Sequence, residues 1–345
     1  MWKYLLYGII IAIHLAIISL FFMGDTLNKS TEDNSAEKKA PNTAEQSPVE
    51  PGKNSAAPTP LGKNNLPLFT ENYYQVQNAV LPTELNRLTS NCQAAAVFDP
   101  DRKLMLWGKN YSQQFPLASL TKMMTVLLLM EEIHQGKKGI TLETPVQVTK
   151  TAYKIGGHQV WLDPRETFTI DELLKCSLIR SANDCAFLLG EFIAGGHHDN
   201  FVKTMNARAK QLGCQNFTFY NSHGLPHGDK GQENLGTVLE LAYLAECLWQ
   251  YPEVMKWTAT RQEFIRENTK KPFQLDSTNA LLRTCPGVNG MKTGMTNKAG
   301  FCIVVTCERQ GKRMIAIVLG VSGRGGDKIR NEIARQLLEW AYARK

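Results

Sequence analysis

The chain has 345 residues, 43% of them hydrophobic and 21% charged, the composition of a globular protein rather than a fibrous or wholly disordered one. Its net charge of +7 comes from 39 Lys and Arg against 32 Asp and Glu. The basic residues are scattered, which argues against a nucleic-acid surface, where they must cluster on one face. Eight cysteines between Cys92 and Cys307 make no Cys-x-x-Cys pair and no Cys/His zinc spacing, so no metal site or cofactor motif is indicated.

From Tyr4 to Met23 the sequence is apolar, with His14 and Ser19 the only polar interruptions. At about 1.5 Å per residue such a helix spans roughly 30 Å, the thickness of a bilayer core. The run ends Phe21-Phe22-Met23-Gly24-Asp25, without the small residues of a cleavage site. We therefore expect residues 1–23 to be an uncleaved, single-pass membrane anchor. Lys3 before it and Asp25 after it favour a cytoplasmic N-terminus, which leaves the body of the protein extracytoplasmic, or periplasmic. Residues 24–65 are rich in Asn, Ser, Thr, Pro, Ala, Lys and Glu without hydrophobic periodicity. They read as a disordered linker, reaching roughly 35 Å on average as a flexible coil.

The folded domain is expected over 66–345. Residues 94–98 and 103–107 read as strands around an Asp99-Pro100-Asp101-Arg102 turn. Helical patterns follow at 118–134, 170–180, 184–193, 199–212 and 237–249. A second hairpin is expected from 301–307 and 314–320 around Gln310-Gly311-Lys312, then a last helix over 329–343 with Ile329, Ile333, Leu337 and Trp340 on one face. Strands at both ends with helices between imply an α+β fold, an antiparallel sheet packed by helices with a helical subdomain. No room is expected for a further domain after the last helix. Cys302 and Cys307, five apart in a strand, point to opposite faces and should not bridge each other. Cys176, Cys185 and Cys247 lie in apolar helical runs, where a small buried thiol is as good a reading as a disulfide.

Three short motifs carry chemistry. The first is Ser119-Leu120-Thr121-Lys122. Pro116 suits the start of a helix, residues three apart share a helix face, and so Lys122 can reach the Ser119 hydroxyl. The positive end of the helix dipole favours a developing oxyanion at Ser119. To act as a base the lysine needs its pKa moved from about 10.4 to about 7, roughly 4.6 kcal/mol, which burial and a neighbouring cation can supply. The second is Ser181-Ala182-Asn183, whose hydroxyl can relay a proton and whose amide can hold a substrate backbone. The third is Lys292-Thr293-Gly294, expected just before the strand at Phe301 or on a neighbouring strand. Its lysine offers a fixed positive charge for a carboxylate, and its glycine lets a substrate chain approach closely.

A Ser-x-x-Lys or a Ser-x-Asn arises by chance about once in a chain of this size, so neither alone means much. The ordered set of three is far more specific. With Ala118-Ser119-Leu120-Thr121-Lys122-Met123-Met124-Thr125, Ser181-Ala182-Asn183-Asp184, Asn221-Ser222-His223-Gly224-Leu225, Gly290-Met291-Lys292-Thr293-Gly294-Met295-Thr296 and Ala299-Gly300-Phe301, the sequence resembles the D-alanyl-D-alanine carboxypeptidases among the low-molecular-mass penicillin-binding proteins, over about 94–343. The resemblance implies a β-lactamase/transpeptidase-like fold and a serine DD-peptidase that needs no metal or cofactor. It would act on peptidoglycan stem peptides and be acylated by β-lactams. It implies Ser119 as nucleophile, Lys122 as its base and Ser181 as proton relay. Asn183 would contact substrate, and Lys292, Thr293 and Gly294 would help bind it, with Arg330 favouring its terminal carboxylate. The backbone N–H groups of Ser119 and Met295 would form the oxyanion hole.

Three other functions compete with removal of the terminal D-alanine. A DD-endopeptidase would cut cross-links with the same site. A β-lactamase needs a deacylating carboxylate, and Ala182 departs from the class A pattern. A catalytically idle wall-binding scaffold is the non-enzymatic reading. Members of the family often carry a C-terminal β-rich domain and an amphipathic anchor; here the N-terminal segment is expected to serve instead. Among the remaining features, His223 and His227 have Gly224 and Pro226 between them, a poor helical metal pair. Asp199 is a candidate helix cap, residues 323–327 read as a turn, and His158 and Trp161 are candidates for the cleft rim.

Overall fold

The computed structural model describes residues 66–344, positions 137 and 268 excepted; the expected anchor and linker lie outside the described residues. The main sheet is built from β1 (Gln75–Val76), β2 (Ala94–Asp99), β3 (Leu104–Lys109), β4 (Val288–Thr296), β5 (Gly300–Arg309) and β6 (Lys312–Val321). Their order across the sheet is β1-β3-β2-β6-β5-β4. The pairing is antiparallel except between β1 and β3. Every residue of β2 is buried, the pattern of a strand covered on both faces.

On one face Ala94, Ala96, Phe98, Val304, Ile315 and Ile317 share a core with helices α2 (Lys122–Gln135) and α6 (Val238–Trp249). Helices α3 (Ile170–Lys175), α4 (Asn183–Ile193) and α5 (His198–Gln211) complete this helical region. On the other face Ala95, Val97, Ile303, Val305 and Val318 meet α8 (Gly326–Tyr342) and α1 (Thr83–Thr89). The expected stripe on α8 covers this face: Ile333 and Leu337 are fully buried, with Ile329 and Trp340 packed at the margin. Cys302 and Cys307 lie in the two different cores, and all eight cysteines are buried free thiols.

Two local expectations need correction. Pro116 does not start the helix: Phe115–Pro116 is a two-residue strand paired with Leu235–Gly236, and a 3-10 turn, Ala118–Thr121, leads into α2. Asp199 is not a cap, because α5 begins at His198 with His197 in the cap position. The Asp199 charge lies instead in the first turn, where the helix dipole favours it. Helix α7 (Pro252–Ala259) and the hairpin of Gln262–Ile265 with Phe273–Asp276 were not expected from the sequence.

One buried ion pair ties the helical region together. Glu131 of α2 and Arg208 of α5, 0% and 6% exposed, meet at 2.6 Å, and the Arg208 Nε donates to the same carboxylate at 2.9 Å. Removing one partner strands the other charge in an apolar core. Glu131→Gln is expected to cost about 3 kcal/mol, read as a lowered midpoint in urea unfolding; an unchanged midpoint would mean that Arg208 finds another partner or water.

Candidate active site

Ser119 lies in the 3-10 turn at the foot of α2, where three chain segments converge. The preceding residue, Ala118, has φ 46°, left-handed geometry uncommon for a residue with a side chain. Gly224, at φ 90°, lies against it so closely that a Cβ would fall 1.9 Å from the Ala118 carbonyl oxygen. From the other side β4 passes the same turn: a Cβ on Gly294 would lie 3.1 Å from the Ser119 nitrogen. That close pass sets the Gly294–Met295 peptide beside the Ser119 amide, as a pair of oxyanion donors requires.

Lys122 is fully buried one turn beyond Ser119. Its Nζ has three partners: the Ser119 Oγ at 2.9 Å, the Asn183 Oδ1 at 2.7 Å and the His223 carbonyl oxygen at 2.6 Å. Two of these are obligate acceptors, so they take the two N–H bonds of a neutral amine. The remaining direction, that of the lone pair, is the one occupied by the Ser119 hydroxyl. Burial and the nearby Lys292 cation hold the Lys122 pKa well below the usual lysine range, against the opposing pull of the Asp184 carboxylate.

Asn183 has a structural part beside its expected substrate contact. Its oxygen holds Lys122, and its Nδ2 donates to the Gly156 carbonyl at 2.9 Å. The side chain still lines the cavity, so one N–H remains for a substrate. Ser181 ends a single π turn, Cys176–Arg180, in the left-handed conformation at φ 66°. This backbone excursion turns its hydroxyl toward β4, where it accepts from Lys292 Nζ at 2.7 Å.

Lys292 is buried in the middle of β4 and also donates to the Thr293 carbonyl at 2.9 Å. Burial and then the Arg330 guanidinium push its pKa down to about 7. Thr293 Oγ1 lies 2.6 Å from Thr278 Oγ1. Arg330, near the start of α8, donates to the Cys302 carbonyl at 3.3 Å and to Asn331 Oδ1 at 2.8 Å, and burial lowers its pKa to about 10.

Ser119, Ser181, Asn183, Thr293, Gly294, Met295 and Arg330 line one cavity of about 410 Å³. Lys122 and Lys292 stand behind its wall, each bonded to one of the two serines. The nine predicted residues thus form a single site. His158 joins them in the lining, whereas Trp161 does not. Sequence reasoning gave no role to the His223 carbonyl, to Thr278 or to Asp184. Asp184 accepts from the backbone N–H groups of Val160 and Leu162 at 3.2 and 3.3 Å and so fixes the loop that carries His158. Asp184 and His223 sat within quoted runs, but Thr278 had no motif to mark it.

A second cleft of about 610 Å³ is lined by His197, His198, His223, His227, Glu191 and Asp199, among others. It is larger, yet Ser119 and Lys122 do not open into it. Burial lowers the His198 pKa to about 4, which leaves that ring neutral. Among the described residues, no group of three or more His, Cys, Asp or Glu side chains is placed to hold a metal ion.

The profile of the D-alanyl-D-alanine carboxypeptidase family, peptidase S11, matches residues 82–323. The chain is 35% identical over 258 residues to the D-alanyl-D-alanine carboxypeptidase DacF of Bacillus subtilis, covering 75% of this chain and 64% of that protein. It is 32% identical to DacC of Escherichia coli, of which it spans 56%; the chain thus covers less than two thirds of both relatives. A D-alanyl-D-alanine endopeptidase of Pseudomonas aeruginosa is 28% identical over 237 residues, 67% of this chain and 72% of that one. Among solved structures, penicillin-binding protein D2 of Listeria monocytogenes, in its ampicillin-bound form, matches with a TM-score of 0.64 at 30% identity. That match covers 73% of this chain and 98% of the Listeria chain. The chain belongs to the D-alanyl-D-alanine carboxypeptidase family of serine peptidases.

Proposed function

We propose that the protein is a serine-type D-Ala-D-Ala carboxypeptidase that removes the terminal D-alanine from peptidoglycan stem peptides. The observation that carries this reading is the buried Lys122 amine, 2.9 Å from the Ser119 hydroxyl and held there by the Asn183 oxygen and the His223 carbonyl. Lys122 takes the Ser119 proton as Oγ attacks the penultimate D-alanine carbonyl. The tetrahedral oxyanion sits between the Ser119 and Met295 N–H groups. Protonated Lys292 with Thr293 and Arg330 holds the terminal carboxylate. Ser181, bonded to Lys292, gives its proton to the departing D-alanine nitrogen and is reprotonated from Lys122, which returns to the neutral amine. Lys122 then takes a proton from water as the water oxygen attacks the Ser119 ester, and hands that proton to the departing Ser119 Oγ.

Incubating the full-length chain with a pentapeptide ending in D-Ala-D-Ala should release D-alanine, and labelled penicillin should add its mass to the peptide containing Ser119. A folded protein giving neither product would defeat the proposal and favour a wall-binding scaffold. Cross-linked muropeptide dimers test the endopeptidase alternative, which the Pseudomonas relative's name supports; loss of dimers without free D-alanine would prefer it. A β-lactamase needs a deacylating carboxylate beside its acyl-serine, and the cavity's one lining carboxylate among the described residues is Asp327, on the Arg330 helix.

Residues 1–23 are proposed to anchor this domain to the membrane on its extracytoplasmic side, where the wall polymer lies. Their support is the length of the apolar run and its flanking charges. The described residues contain no helix long and apolar enough to cross a membrane. Protease digestion of intact spheroplasts should destroy the domain; its protection would reverse the orientation.

A further inference from the structure

Three residues beyond the cavity-lining His158, the backbone passes through Trp161 at φ 53° with the residue 62% exposed. A bulky residue in the left-handed region is strained, and an exposed indole forgoes the stabilisation of burial. The surrounding structure nevertheless fixes this arrangement. Arg266 Nη1 donates to the Val160 carbonyl at 2.9 Å and Nη2 to the Trp161 carbonyl at 3.2 Å. The same guanidinium pairs with Glu166 at 2.6 Å. Asp184 accepts from the N–H groups of Val160 and Leu162 on either side.

Phe273 meets the indole edge-on, with centroids 5.6 Å apart and an interplanar angle of 72°. Beside this pair the same two segments enclose a shallow groove of about 230 Å³, lined by Asp163, Arg165, Glu166, Thr269, Lys270 and Lys271. Lys271 and Asp163 bridge its walls at 3.9 Å. An aromatic face next to a row of charged donors and acceptors suits a sugar. The C–H face of a pyranose stacks on the indole, and its hydroxyl and acetamido groups bond to the charged row. An apolar peptide would need an apolar groove, and a nucleic acid would meet Asp163 and Glu166.

We propose that Trp161 and this groove form a carbohydrate subsite for the glycan strand that bears the stem peptide. The inference rests on the carboxypeptidase reading, because the subsite shares its loop with the His158 wall of the catalytic cavity. The full-length chain is titrated with chitotetraose while tryptophan fluorescence is followed. D-alanine release is then compared between a free pentapeptide and uncross-linked glycan chains bearing the same peptide. Glycine accepts the backbone angle of position 161, so Trp161→Gly removes the ring without unfolding the loop, and Trp161→Tyr keeps a stacking face.

The wild type should give a saturable fluorescence change that Trp161→Gly loses. That variant should cleave glycan-linked peptide about fivefold to tenfold less efficiently, the scale of one aromatic contact, and the free pentapeptide within about twofold of wild type. Trp161→Tyr should restore most of the difference. No saturable change in the wild type, or an equal loss on both substrates, would overturn the subsite. If the wild type cleaves neither substrate the carboxypeptidase reading fails, while the titration still decides whether sugar binds.

Discussion

Replacing Lys122 by arginine lowers kcat/KM for D-alanine release by about 1,000-fold or more, within the range lost with a general base, and slows penicillin acylation of Ser119 in parallel. The substitution keeps a basic side chain with several donors, so the Asn183 oxygen and the His223 carbonyl retain partners. What it removes is the neutral state. Arginine cannot lose its proton in a protein, whereas burial and Lys292 hold the Lys122 pKa well below the usual lysine range. Without a lone pair facing Ser119, the hydroxyl has no acceptor for its proton. Stopped-flow labelling with a fluorescent penicillin measures the step directly, with circular dichroism to verify folding. A variant that acylated at a tenth of the wild-type rate would show that Lys122 merely orients Ser119 and that another group takes the proton.

Much of this was legible in the sequence, for reasons that differ from element to element. Strands β2 and β6 stand out because they are buried on both faces and read as apolar runs. β4 does not, although it has nine residues, because Lys292, Thr293 and Gly294 face the site and Gly290 makes room for Thr258 and Thr306. The Ser119–Lys122 contact follows from helical spacing alone. The Lys122–Asn183 and Lys122–His223 contacts span 61 and 101 residues, and no local pattern encodes them. The left-handed turn at Ser181, which aims its hydroxyl at Lys292, follows a π turn that helical periodicity reads as ordinary helix. Gly224 was visible only as part of a run; its reason, contact with the Ala118 carbonyl, exists only in three dimensions. The lowered pKa of Lys292 was equally hidden, because the burial that disfavours its charged form is set by the fold and not by the local sequence.

That charge makes the second large effect dependent on pH. Lys292 normally titrates near 10.5 and here near 7, so the free enzyme loses this proton as the pH rises through neutrality. With the proton goes the charge proposed to hold the substrate carboxylate. The profile of kcat/KM, which reports the free enzyme, should therefore carry an alkaline limb near pH 7, and uptake of a proton by Lys122, whose pKa burial and Lys292 lower, gives the acid limb. The two amines repel each other's protons, so these limbs belong to the pair rather than to either residue alone. Lys292→Gln should cost about 100-fold at the wild-type optimum, the scale of one lost electrostatic contact in an enclosed site. It should also abolish the alkaline limb. Removing the neighbouring cation lets Lys122 hold its proton to higher pH, so the acid limb moves upward and the deficit narrows as the medium becomes more alkaline. Arg330→Ala should act in the opposite place: with that guanidinium gone, Lys292 keeps its proton longer and the alkaline limb shifts to higher pH. If the limb survives unmoved in both variants it belongs to another group, and the carboxylate is then held by hydrogen bonds from Thr293 and Thr278 instead of by a titrating cation.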